Sequence, residues 1–253
     1  MTFKSLHEDN NPILISNVWD VQSAQIAQQL GFKAIGTSSG AIATMLGYAD
    51  GEEISFKELK YIVERITKSV TIPLSVDLEA GYSQKPNEVA DHIDQLIQLG
   101  VKGVNLEDST VDKGNRQILD VEVFTDRLYK ICDLLQRRHI SVFMNVRTDT
   151  FLLGLLDPVL STLKRGKQYK NAGADGLFVP CIKTQKDIEA VVQGVSLPLN
   201  VMCVPKLPDF ATLQQLGVKR ISMGNFVCNK MNEILKKELE HIQQNQSFHS
   251  IFT

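Results

Sequence analysis

A chain of 253 residues with 43% hydrophobic and 22% charged residues has the composition of a globular protein with a large core, which excludes a disordered chain. Its 27 basic and 29 acidic residues give a formal net charge of -2, with no basic field to gather nucleic acid or an anionic membrane. No apolar run approaches the roughly 20 residues that span a bilayer, and Cys132, Cys181, Cys203 and Cys228 show no paired spacing, which excludes a disulfide framework or zinc cluster and suits a cytoplasmic chain.

In chain order, the polar stretch MTFKSLHEDNNP, without an apolar signal core, leads into ILISNV from Ile13, the first of eight short β-rich runs. Asp20 follows as a cap for the first helix, and Trp19 either packs in the core or walls a pocket. AIGTSS from Ala34 is the second run, and SFKELKYIVERITKSV, with apolar residues at three- and four-residue intervals, is a helix. LSVDLE from Leu74, the helical VADHIDQLIQLG, GVNLED from Gly103 and VFMNVR from Val142 come next. GLFVP from Gly176, LNVMC from Leu199 and RISMG from Arg220 complete the eight runs. A long amphipathic stretch from Asn225 to about Gln246 is either the last outer helix or a surface for another subunit.

Strands alternating with helices predict repeated βα units around a parallel sheet. The connections QLGFKAIG, QLGVKGVN, NAGADGLF and QLGVKRIS are near-copies in which Gly closes a helix just before a strand. Eight such units without a dividing linker predict one α/β domain over residues 1–253, a (β/α)8 TIM barrel.

Active sites of such barrels lie at the C-terminal strand ends. The two-residue strand period aligns Ser75, Asp77 and Glu79 on one face, Asn105 with Glu107 on the next strand, and Asn145 with Arg147 on another. Adjacent buried carboxylates require a neutralising charge. That charge is either Arg147, in a structural ion network, or a metal, and oxygen ligands of this kind suit Mg²⁺, with Mn²⁺ as a substitute. His7, His92, His139, His241 and His249 all lie away from the strand ends, which removes the usual ligands of zinc or non-haem iron. The small residues at Ser38, Ser39 and Gly40 let the backbone approach an anion closely, or simply form a tight turn.

The segments NVWDVQSA, AIGTSSGAIATMLGYADG, VDLEAGY, GVNLEDS, NVRTD and AGADGLFVP occur in the order and spacing of the isocitrate lyase/phosphoenolpyruvate mutase superfamily, which the chain resembles over nearly its whole length. The resemblance implies a barrel whose last helix is swapped between subunits of a homo-oligomer, a dimer or tetramer. It makes Asp77 the principal Mg²⁺ ligand, with Glu79, Glu107 and Asp50 acting mainly through metal-bound waters. Ser38, Ser39 and Gly40, beside Asp50 and Arg147, would bind a small-molecule carboxylate substrate. Arg147 would stabilise the enolate-like oxyanion formed when a C–C or P–C bond next to an α-oxo acid breaks.

Isocitrate-cleaving members carry a Cys on the loop after the fourth strand, where this chain has Asp112-Lys113-Gly114-Asn115-Arg116, and an amide cannot shuttle a proton as a thiol does. Lys113 and Asn115 instead stand in the register of the gating-loop Lys and Asn of the phosphonate-acting members, which assigns them catalytic roles on a lid, unless the loop is a plain solvated turn. Against that reading, Ser109 stands where those members carry Lys, and Val179-Pro180-Cys181 where they place a His after the sixth strand; Cys181, just past that strand, either faces the substrate or packs, and it and Cys203 read as packing residues. A C–C lyase or decarboxylase is therefore expected, with phosphonomutase or phosphonopyruvate hydrolase chemistry and a non-catalytic dicarboxylate-binding barrel as the alternatives.

Overall fold

The computed structural model describes residues 2–252. A 3-10 turn at Lys4–His7 precedes β1 (Ile13–Leu14), β2 (Ser16–Val18), α1 (Val21–Gln29), β3 (Ile35–Thr37), α2 (Ser39–Leu46) and α3 (Phe56–Thr67). Next come β4 (Leu74–Asp77), α4 (Pro86–Gln98), β5 (Gly103–Glu107), β6 (Ser109–Asp112), β7 (Asn115–Ile118), α5 (Val121–Arg137) and β8 (Phe143–Arg147). The rest is α6 (Pro158–Ala172), β9 (Gly176–Val179), α7 (Gln185–Gly194), β10 (Leu199–Met202), α8 (Phe210–Gln215), β11 (Arg220–Ser222), α9 (Phe226–Asn245) and a 3-10 turn at His249–Phe252.

The main sheet is parallel, in the order β1-β11-β10-β9-β8-β5-β4-β3-β2, and its two ends are consecutive pieces of one run. Ile13 pairs with Arg220 while Ser16 pairs with Ile35, so the run from Ile13 changes neighbours at Ile15 and brings the two ends of the sheet together as a TIM-like barrel. The eight expected runs are its staves, with helices outside.

Local chemistry explains the helices. In α3, Ser55 and Glu58 form a reciprocal capping box, and Leu59, Val63 and Ile66 form one buried stripe. Each such side chain stabilises the fold by about 1.5–3 kcal/mol. All four predicted Gly connections take the left-handed conformation, at Gly31, Gly100, Gly173 and Gly217. Gly173 is doubly required, since a Cβ there would lie 2.9 Å from Cys132 Cβ. Two run boundaries differ from expectation. Ser38 and Ser39 leave the strand because the Ser38 hydroxyl captures the Ala41 N–H and starts α2. The strand at Leu74 stops at Asp77, and Glu79 has φ 50°, which breaks the alternation that was to align it with Asp77.

The N-terminal segment plugs the lower end of the barrel. Phe3, Leu6, Ile13, Ile15, Ala34 and Phe143 form a small core of their own, and the His7 ring stacks 4.0 Å from that of Phe143. Gly103 is required beneath it, because a Cβ would lie 2.7 Å from the Phe3 ring. Burial, reinforced by the charge of Arg220, pulls the His7 imidazole down to about 3. Between that value and its ordinary 6.5, the unfolded chain binds more protons than the folded one. His7 therefore removes roughly 1.4 kcal/mol of stability per pH unit as the pH falls below about 6.5. His7→Leu should flatten this limb in urea titrations from about pH 6.5 to 4.5. An unchanged slope would show that His7 is not the titrating group.

Candidate active site

The barrel interior carries a polar layer. Asn145 Nδ2 donates to Asn105 Oδ1 at 2.9 Å and to Asn200 Oδ1 at 3.1 Å, linking β8 to β5 and β10. Above it, at the C-terminal strand ends, opens a cavity of about 400 Å³ whose lining includes Ser38, Ser39, Gly40, Asp50, Asp77, Arg116, Arg147, Cys181 and Arg220.

One wall is the start of α2. Ser38 N–H donates to Val18 O at 3.1 Å and its hydroxyl caps the helix, so Ser38 fixes where the helix begins. The Ser39 hydroxyl donates to Asp77 Oδ2 at 2.8 Å and lies 3.4 Å from Asp50 Oδ1. The Ser39 N–H also donates to Asp77 Oδ2 at 3.4 Å, so the start of α2 turns the positive end of its dipole toward the cavity and its acids.

Asp77 ends β4 with its N–H held by Thr37 Oγ1 at 2.8 Å, and its buried Oδ1 has no hydrogen-bond partner. Burial, then the charge of Asp77, raises the Asp50 carboxyl above its ordinary range. Glu79 turns away from the cavity: its carboxylate accepts from Glu52 N–H at 2.9 Å and from the Tyr82 hydroxyl at 3.0 Å. Burial and the charges of Asp77, Asp50 and Glu107 push it up to about 8.

Glu107 is taken up by arginines. Its Oε2 pairs with Arg147 Nη1 at 3.0 Å and its Oε1 with Arg116 Nη1. Arg147 is clamped further by Asp149, through Nε at 2.7 Å and Nη2 at 3.2 Å. Burial alone would lower the Arg147 pKa, but Glu107, Asp149 and Asp77 raise it, so it stays a cation. Burial would raise the Asp149 carboxyl, yet Arg147, Ser109 and Arg116 together outweigh this and hold it below the ordinary range. Beneath them Asp108, fully buried, accepts from Thr148 Oγ1 at 2.6 Å, Asp149 N–H at 3.1 Å, Arg165 Nη1 at 2.9 Å and the Tyr169 hydroxyl at 2.7 Å.

The segment after β5 is a hairpin, β6 paired antiparallel with β7. Lys113 at φ 48° and Gly114 at φ 78° form its two-residue turn, as such hairpins require. Strand alternation turns Asn115 and Gln117 outward and Arg116 and Ile118 inward. Lys113 and Asn115 are therefore exposed at the tip and outside the cavity lining, while Arg116 enters it. Trp19 faces a separate groove between α1 and α9. Cys181, for which packing was the favoured reading over facing the substrate, lines the cavity, its thiol pushed up by burial against the opposing charge of Arg147. Cys203 is exposed.

Sequence reasoning missed Arg116, Asp149, Asp108 and Arg220 as parts of this site. Asp149 was findable, since it lies two residues beyond Arg147 and pairs with the same guanidinium. Arg220 lies deep under the cavity, 2% exposed, with Nε and Nη1 unpartnered. Burial pulls it down to about 10, with Asp77 opposing.

Among the described residues, no group of three or more His, Cys, Asp or Glu side chains could by itself hold a metal ion. Mg²⁺, however, keeps several waters and often takes one or two carboxylates directly. The unpartnered Asp77 Oδ1, with Asp50 nearby, fits such a hydrated ion, whereas Glu79 and Glu107 are already engaged by protein donors.

The family described as phosphoenolpyruvate phosphomutase matches residues 3–243. An uncharacterized protein of Mycobacterium tuberculosis is 33% identical over 225 residues, covering 89% of this chain and 82% of its own. An oxaloacetate decarboxylase of Pseudomonas syringae pv. tomato is 28% identical over 226 residues, covering 86% of this chain and 75% of its own. A candidate phosphonomutase from Burkholderia cenocepacia superposes with a TM-score of 0.88 at 35% identity, covering 94% of this chain and 97% of that one.

Proposed function

The chain belongs to the phosphoenolpyruvate phosphomutase family, in the superfamily shared with the isocitrate lyases, and on that premise we propose that it cleaves a C–C bond in a small carboxylate. The substrate is an α-oxo or α-hydroxy acid, and the route is that of a lyase or decarboxylase through an enolate-like oxyanion. The observation that carries this reading is the unpartnered Asp77 Oδ1 in the same cavity as a clamped, permanently charged Arg147. The relative named oxaloacetate decarboxylase supports the bond assignment.

Asp77 would hold Mg²⁺ directly and Asp50 through water, with Glu79 and Glu107 as charges behind them. When bound, the ion supplies a Lewis acid beside the reacting oxygens. Ser39 and Gly40 bind the substrate carboxylate through helix N–H groups, which Ser38 positions. Arg147 donates to the oxygen on which negative charge develops, its orientation fixed by Asp149 and Glu107. Cys181, kept protonated, does not serve as a thiolate nucleophile.

The 35% identical candidate phosphonomutase favours P–C chemistry as a second reading. A screen of oxaloacetate, phosphonopyruvate and branched 2-hydroxy diacids with and without Mg²⁺ separates the two. Metal-dependent loss of a C–C substrate and an unchanged ³¹P spectrum of phosphonopyruvate are expected. Turnover of nothing in the screen would leave a dicarboxylate-binding barrel without catalysis.

Association of copies belongs to the same proposal. α9 leaves Val227, Met231, Ile234, Leu235 and Leu239 exposed, an apolar face that suits a homo-oligomer. Light scattering should give a dimer or tetramer; a monomer at micromolar concentration would refute it. No described helix is long and apolar enough to cross a membrane.

A further inference from the structure

Asp50 stands in the connection between α2 and α3, and among the described residues its carboxylate is met only at long range, by the Ser39 hydroxyl at 3.4 Å and Arg116 Nη2 at 3.7 Å. Its place in the cavity is therefore set by its backbone. Two residues on, Glu52 fastens that backbone to the loop after β4: its N–H donates to Glu79 Oε2 at 2.9 Å, and its own carboxylate accepts from the Tyr82 N–H at 2.7 Å. The Tyr82 hydroxyl closes the ring on Glu79 Oε1 at 3.0 Å. Each segment thus holds the other through a backbone N–H and a carboxylate.

The loop after β4 is itself fixed from behind. Buried Arg127 of α5 donates through Nη2 to Ala80 O at 2.6 Å and to Ser83 O, and His92 Nδ1 of α4 donates to Gly81 O at 2.9 Å. The loop is gripped by its carbonyls on one side and by Glu52 on the other. Glu52, Glu79 and Tyr82 have φ of 63°, 50° and 58°, a left-handed conformation that L side chains rarely adopt. Three such residues in one ring persist because the contacts around them over-determine the backbone.

We propose that Glu52 is a positioning residue of the site: crossed with Glu79 and closed by Tyr82, it latches the α2–α3 connection so that Asp50 is held at the cavity beside Asp77. The assignment rests on the reading under Proposed function, in which Asp50 meets the ion through water. It gives the buried Glu79 a second task besides its charge. A latch differs from a mere electrostatic contribution of Glu52, which any loss of its charge would remove, and from a mere contribution to stability, which would not act through Asp50.

Mn²⁺ uptake measured by calorimetry with oxalate present separates these roles in a double-mutant cycle. Asp50→Asn should weaken uptake about 10- to 100-fold, as loss of an outer-shell partner does, and Glu52→Ala about tenfold. In the Asp50→Asn background Glu52→Ala should add less than about threefold, since it acts through the residue already changed. Glu52→Gln keeps an acceptor for the Tyr82 N–H and should stay within about threefold of the unsubstituted chain. Tyr82→Phe, which opens the ring without changing a charge, is the second variant if Glu52→Ala misfolds, and should also weaken uptake. Equal losses from Glu52→Ala in both backgrounds, no loss from it, or a loss from Glu52→Gln as large as from Glu52→Ala would overturn the proposal. If the unsubstituted chain takes up no Mn²⁺, or Asp50→Asn takes it up unimpaired, the metal reading fails instead. Hydrogen exchange without metal then still tests the latch: the Glu52 amide should exchange about three- to tenfold faster in Tyr82→Phe, and an unchanged rate would overturn it.

Discussion

Replacing Arg147 by lysine is expected to lower kcat by about 10²–10³, the loss measured when one preorganised oxyanion donor is removed. The charge is kept, so the fold should survive and the loss should report geometry. Arg147 is held through three nitrogens, by Asp149 at 2.7 and 3.2 Å and by Glu107 at 3.0 Å. An ammonium on a flexible stem cannot satisfy both carboxylates and still offer a directed donor to a substrate oxygen. Turnover of whichever α-oxo acid responds in the screen, measured beside a thermal melt, checks this. Activity within about threefold of the unsubstituted enzyme would remove Arg147 from the oxyanion role.

The second large effect concerns stability. Asp108→Ala should cost about 3–5 kcal/mol, because it leaves the buried Arg165 charge uncompensated. It also frees the Tyr169 and Thr148 hydroxyls and the Asp149 N–H at once. For a chain of this size the melting temperature should fall on the order of 10 °C. Since Asp108 fixes the backbone on which Asp149 stands, residual activity should fall too, through the looser clamp on Arg147. Asp108→Asn retains an acceptor and should lose less. Urea unfolding gives the number, and a cost below about 1 kcal/mol would show that the ion pair and its hydrogen bonds are not coupled.

Most of the architecture was legible because it rests on local signals. Apolar runs and helical stripes place the staves, and the Gly connections need a left-handed residue that Gly supplies most readily. The split at Ile15 was invisible, since an apolar run reads alike whether it pairs with one neighbour or two. At the site, Asp77, Asp50, Ser38, Ser39, Gly40 and Arg147 do line one cavity. Glu79 was misaligned because one residue at φ 50° defeats a period-two count, and no residue type there announces the turn. Arg116 was missed for a related reason: a hairpin has two faces, and a loop reading of Lys113 and Asn115 assigns none. Arg220 stands at the start of its strand, where a charge ordinarily meets solvent, and only the closed barrel buries it.

Manganese uptake measured by calorimetry with oxalate present tests the metal role of Asp77 most directly. About one Mn²⁺ per chain should bind to the unsubstituted protein, and Asp77→Asn should lose that binding while Glu107→Gln keeps much of it, because Asp77 Oδ1 faces no protein donor whereas both oxygens of Glu107 lie against arginines. Retention of full uptake by Asp77→Asn, or no uptake by the unsubstituted protein, would contradict it.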